Sequence, residues 1–207
     1  MKYLSIDLET TGLEPKNCQI LEIACILADT TDSQTPVENL PMFHHRVFHK
    51  TIRGEPYALW LNAELIKQMP PEKQGIYLFP LEIWQELANW LNKLGFSDKN
   101  KLHISGKNFG MFDSKFLDEL PVWSWCWFRH RLLDPAMLYF DPLKDDKVPD
   151  TKECIKRAGL DWDEKKLHTA VDDARLVIHL LRRGFNVDRR TEKDDGRTET
   201  RGVEKVG

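Results

Sequence analysis

At 207 residues with 41% apolar side chains, the chain is long enough for one domain with a sizeable core. A formal charge of -3 excludes a globally basic nucleic-acid binder while leaving room for a local basic groove. The apolar runs are too short for a membrane span, and the acids in "MKYLSIDLET" are incompatible with a secretory leader, so a cytoplasmic protein with no membrane partner is expected. Cys18, Cys25, Cys126 and Cys154 have no zinc-type spacing and read as reduced, buried thiols.

Residues 2–10 and 19–29 read as strands separated by "TGLEPKN", a turn punctuated by glycine and proline. A third strand near 43–49 would complete an antiparallel meander. "YALWLNAELIKQM" (57–69) has helical spacing and stops at Pro70-Pro71, which cannot continue a helix. The stretch 80–95 predicts a helix from Pro80 to Gly95, with Ile83, Leu87, Trp90, Leu91 and Leu94 as its apolar stripe. A short strand follows at 101–108, a helix at 111–120, a strand and its exit within 128–140, and two closing helices in "TKECIKRAGL" and "TAVDDARLVIHLLRRGF". Strands first, then helices and strands in alternation, predict an α/β domain over 1–187, a mixed sheet flanked by helices. Residues 188–207 carry six basic and six acidic side chains, with Val203 and Val206 as the only apolar ones, and predict a disordered tail. The functional alternative for that tail is a docking peptide for a polymerase or another protein partner.

Within this frame, several acids ask for an explanation. Asp7 and Glu9 are two residues apart on a strand, so their side chains share one face, where two carboxylates repel unless a cation lies between them. Asp113 falls in the first turn of its helix, where it complements the dipole. Near the last helix, Thr169 suits the N-cap and Asp172 the third helical position of a capping box. Asp173 is different. With Ala170, Ala174, Val177 and Leu181 defining the buried side, Asp173 lies on its flank, and an acid aimed towards a core needs a partner or a metal. His168 stands five residues before Asp173.

"SIDLETTGL", "GKNFGMFDSKFL" and "HTAVDDA", in that order and across residues 4–181, resemble the three motifs of the DEDDh-type 3′-5′ exonucleases of the RNase H-like superfamily, a group that includes proofreading exonucleases, RNase T and oligoribonuclease. The resemblance implies an RNase H-like mixed five-stranded sheet and hydrolysis of nucleic-acid 3′ ends to nucleoside 5′-monophosphates, with single-stranded DNA favoured and an oligoribonuclease- or RNase T-like exoribonuclease as the alternative. A binding module that has lost catalysis is disfavoured because all four acids and His168 are present. Two divalent ions, Mg²⁺ or Mn²⁺, are implied as cofactors. Asp7 would bridge them, Glu9 and Asp173 would complete their shells, Asp113 would act directly or through water, and His168 would accept the proton of the attacking water. The same resemblance makes Thr10, Thr11, Gly12 and Leu13 the turn that holds the 3′-terminal nucleotide, and Asn108 a further substrate-binding residue.

Two other groups are candidates for nucleic-acid contact. Trp123, Trp125 and Trp127 would share a face if extended, either as a stacking platform or, the preferred reading, as a sheet face buried against a helix. Lys107, Arg129 and Arg131 are candidate phosphate contacts.

Overall fold

The structure, a computed structural model, describes residues 1–162 and 169–194, with side chains to residue 185. Its frame is one six-stranded sheet made of β1 (Lys2–Thr10), β2 (Ile20–Asp29), β3 (Met42–Val47), β4 (Tyr77–Leu78), β5 (Leu102–Ser105) and β6 (Phe128–Leu133), in the order β4-β3-β2-β1-β5-β6. The first three strands form the expected antiparallel meander, whereas β5 and β6 join β1 in parallel. The sixth strand corrects the five-stranded expectation. It is β4, two residues pairing in parallel with Arg46 and Val47 of β3, too short to leave a periodic signal.

The alternation along β1 places the site. Leu4, Ile6 and Leu8 face one side of the sheet, where they pack with α3 (Ile83–Lys93) and α4 (Asp113–Asp118) through Ile83, Leu87, Leu91, Phe116 and Leu117. Tyr3 faces the other side, against α6 (Ala170–Asp194), whose Ala170, Ala174, Val177, Ile178 and Leu181 also cover Ala24, Ile26 and Ala28 of β2. Ser5 shares the Tyr3 side and donates its hydroxyl to the Ala174 carbonyl at 2.9 Å. Asp7 and Glu9 continue that series, so both acids face α6. A one-residue helical phase thus fixes which of Asp172 and Asp173 meets them.

Other expectations are adjusted. The segment 57–69 is two short helices, α1 (Pro56–Leu61) and α2 (Ala63–Lys67), broken at Asn62. Asn62 is buried, and its amide donates to the Thr10 carbonyl at 3.1 Å, an anchor that a continuous helix would turn elsewhere. The tryptophans are not on a strand, because Trp125–Trp127 form a 3₁₀ turn leading into β6. Trp123 and Trp127 still pack edge-on against Trp84 of α3, at centroid distances of 5.2 and 5.7 Å, so the packing reading is right and the extended geometry is not. All four cysteines are free, but Cys126 is exposed on that 3₁₀ turn rather than buried. The last two helices are α5 (Thr151–Ala158) and α6. Residues 188–194 of the expected tail continue the backbone of α6, and 195–207 lie outside the described residues. Among the described residues, no helix is long and apolar enough to cross a membrane.

The apolar stripe of α3 carries the packing of that face. Leu87→Ala is expected to cost about 2–5 kcal/mol in urea unfolding, while Asn89→Ala, on the exposed side of the same helix, should stay within about 0.5 kcal/mol.

Candidate active site

The carboxylates of Asp7, Glu9 and Asp173 offer oxygens that all lie within 4.8 Å of one another. Asp7 and Glu9 come from the last turnings of β1, and Asp173 from the first turn of α6. Glu9, at 9% relative exposure, and Asp173, at 8%, are shielded from water, so their mutual repulsion is poorly screened.

Asp113 joins from the other edge of β1. The pairing of β1 with β5 ends at Ser5–Ser105, which leaves the edge of β1 beyond it without a strand partner from β5. Asp113, the buried first residue of α4, accepts the Leu8 backbone N–H there and also its own. It lies outside the tight group of three, yet after burial it is the largest influence on Asp7.

Burial, then the charges of Asp113 and Asp173, drive the Asp7 carboxyl well above the usual carboxylate range. Burial, with Asp173 and Glu22 adding to it, pushes Glu9 up to about 7. Burial likewise pushes Asp113 up to about 7 against the two backbone N–H groups that hold its charged form. The raised pKa values of Asp7, Glu9 and Asp113 mean that negative charge there is under-compensated. Hard oxygen donors in that condition suit Mg²⁺ or Mn²⁺, so the residues present fit the implied ions.

Asp173 is held in place from behind. Thr169 accepts the Asp172 N–H at 3.1 Å and donates its hydroxyl to the Asp172 carboxylate at 2.9 Å, the capping arrangement read from the sequence. Glu22 of β2, directly opposite Glu9, accepts the Ala170 N–H at 2.9 Å and contacts His44 Nε2 at 2.9 Å. Although burial works against its charge, these partners lower the Glu22 pKa, so Glu22 serves as a charged clamp on the start of α6. Its role was missed from the sequence, although an acid inside the apolar run "ILEIACILAD" was a usable signal.

Lys107 lies against the cluster. Its Nζ is 2.8 Å from Asp173 Oδ1. Asn108, beside it, is exposed and takes a left-handed backbone conformation, φ 52°. Its N–H donates to Asp134 Oδ2 at 3.1 Å, and its carbonyl accepts from Met111 and Phe112. Asn108 therefore shapes the turn that brings Lys107 and Asp113 together. Arg129 and Arg131 are exposed on β6, and Arg129 Nε donates to the Lys101 carbonyl at 3.3 Å. Neither is among the principal charges acting on the carboxylates.

The turn after β1 is internally satisfied. Thr10 donates its hydroxyl to the Gly12 carbonyl at 2.8 Å, and Thr11 accepts from Gln19 N at 2.7 Å while donating to the Arg53 carbonyl at 2.6 Å. The Leu13 N–H donates to Glu55 at 3.1 Å. Gly12 fits because a Cβ there would lie 2.5 Å from Cys18 Sγ. The hydroxyls thus build the turn, and what it presents outward is the Leu13 side chain, 73% exposed. His168 lies outside the described residues.

The raised pKa values give a signed expectation for metal-free protein. Folded Glu9 and Asp113 hold protons that the unfolded chain releases, so their contribution to stability is full below about pH 4 and is lost as the pH rises through about 7. Glu9→Gln removes one such group. In thermal melts with EDTA, the variant should match the wild type near the acid end and exceed it by about 1–3 kcal/mol above neutrality. A variant that loses ground as the pH rises contradicts the charge balance described here.

No family model matches the chain, and no curated protein sequence matches it significantly. Solved structures do. The chain is similar to the nuclease domain of 3′hExo, described as a DEDDh family member bound to rAMP, with a TM-score of 0.60 at 16% identity over 91% of this chain and 92% of that one. It is similar to cell-death related nuclease 4 (CRN-4), with a TM-score of 0.60 at 13% identity over 90% of this chain and 64% of that one. The Neurospora crassa Pan2 catalytic unit, a protease and nuclease pair, also matches with a TM-score of 0.60 at 13% identity, over 94% of this chain and 29% of that one. At these identities the likeness is one of fold: the chain shares the mixed-sheet architecture of the 3′hExo nuclease domain.

Proposed function

We propose that this chain is a metal-dependent 3′-5′ exonuclease that releases nucleoside 5′-monophosphates. The observation that carries this reading is the convergence of Asp7, Glu9 and Asp173 within 4.8 Å at a shielded position, with Asp113 tied to the same strand. Carboxylates so placed hold Mg²⁺ or Mn²⁺, and two such ions supply Lewis acidity to a scissile phosphate. Asp7, Glu9 and Asp173 would hold these ions, with Asp113 contributing directly or through water. The Thr10–Leu13 turn, which follows Glu9 without a break, positions the terminal nucleotide, with Leu13 against its base. His168, five residues ahead of Asp173, takes the proton from the attacking water.

Single-stranded DNA is the favoured substrate, as the motif resemblance implies. RNA is a second reading, favoured by the rAMP bound to the similar 3′hExo domain. Matched DNA and RNA oligonucleotides separate the two.

Cleavage assays on site variants test the proposal. Asp7→Ala should lose activity by orders of magnitude while melting no lower than the wild type in EDTA, because it removes ligation and repulsion together. Asp173→Asn should be comparably inactive. Asp172→Asn should keep most activity and cost about 1 kcal/mol as a weakened cap. His168→Ala should fall by about 10²–10⁴-fold and lose the rising limb of the pH profile. Full activity in Asp7→Ala, or interchanged effects at 172 and 173, overturns the assignment.

A further inference from the structure

Lys107 is a partly buried cation that the proposed chemistry does not use. Its side chain is 24% exposed, and it pairs with an Asp173 side chain that is 12% exposed. It is also the cationic side chain that lowers the pKa of Asp7, Glu9 and Asp113 together. Burial disfavours the ammonium, but the charges of Asp173, Asp7 and Asp113 more than offset this and raise its pKa. One ammonium, in contact with Asp173, thus also acts on Asp7, Glu9 and Asp113.

The backbone delivers it there. A Cβ on Gly106 would lie 2.9 Å from the Ile6 carbonyl oxygen, so only glycine lets the end of β5 press against β1 one residue before Asp7. The Gly106 N–H donates to the Leu133 carbonyl at 3.3 Å, and the left-handed Asn108 follows, pinned through Asp134. With both neighbours fixed, the Lys107 stem is directed at the carboxylates.

Lys107 and a divalent ion would compete for the same carboxylate. Asp173 Oδ1 is in contact with the ammonium, whereas a metal needs that carboxylate in its own shell and repels a cation lodged beside it. A lysine ammonium is a compact point charge on a flexible stem, able to withdraw when displaced. We propose that Lys107 is the resident counter-cation of the metal-free site, holding the four carboxylates together until an entering divalent ion displaces it from Asp173, and thereby setting the metal concentration the site requires. This rests on the reading of the carboxylates as a divalent-ion site.

Metal binding without substrate tests it. Full-length protein is stripped with EDTA, exchanged into buffer, and titrated with Mn²⁺ while free Mn²⁺ is read by EPR. Wild type, Lys107→Met, Lys107→Arg and Asp7→Ala are compared, together with their metal-free melting temperatures. Lys107→Met should bind Mn²⁺ about tenfold more tightly than the wild type, because a competing charge is gone. It should melt lower without metal and recover when Mn²⁺ is added. Lys107→Arg, which keeps the charge, should bind close to the wild type. Wild-type uptake with Lys107→Met equal or weaker overturns the proposal alone, as does Lys107→Arg binding as tightly as Lys107→Met. No Mn²⁺ uptake by either wild type or Lys107→Met, or undiminished uptake by Asp7→Ala, overturns the metal-site reading beneath it.

Discussion

Asp7, Glu9 and Asp173 repel one another, yet the fold holds their oxygens within 4.8 Å in surroundings that screen them poorly. That is sustained because each acid sits on an element whose packing is secured elsewhere. The apolar residues of β1, Leu4, Ile6 and Leu8, are committed to the α3 and α4 side, and Ala174, Val177 and Leu181 of α6 are committed to the opposite one. Ser5 ties β1 to α6 between these two sets. The backbones that carry the carboxylates cannot separate without unpacking a face of the sheet. The strain appears instead as raised pKa values on Asp7, Glu9 and Asp113, and as the recruitment of Lys107.

Glu22 shows how finely that arrangement depends on geometry. It stands opposite Glu9 in the β1–β2 register, where two acids would ordinarily disfavour the pairing. The ladder shifts register between Glu9 and Thr10, and Glu22 turns its charge to His44 and to the first N–H of α6. One glutamate thus joins the carboxylate cluster while its neighbour positions the helix that delivers Asp173. Asn62 plays a similar part for the turn, since the break between α1 and α2 lets its amide reach the Thr10 carbonyl.

The local patterns were legible in the sequence. Period two along β1 places Asp7 and Glu9 on one face, and period 3.6 along α6 separates Asp173 from Asp172, whose capping bonds are present as read. The stripe Ile83, Leu87, Leu91 is buried as read. What escaped was set by contacts distant in the chain. The two-residue strand β4 exists only because β3 pairs with it. Asn62 interrupts a helical pattern to bond Thr10, and the tryptophans turn into a 3₁₀ segment to reach Trp84. Lys107, read as a phosphate contact, meets Asp173 across 66 residues of chain, a pairing no local spacing encodes.

If Lys107 closes the acidic cluster in the metal-free state and a divalent cation replaces it, the exchange is visible in the positions of both cations. Anomalous diffraction from crystals soaked in Mn²⁺ tests it most directly. An anomalous peak is expected among the carboxylate oxygens of Asp7, Glu9 and Asp173, with Lys107 Nζ moved away from Asp173 Oδ1. No peak there at saturating Mn²⁺, or a peak elsewhere with the 2.8 Å Lys107–Asp173 pair intact, would contradict it.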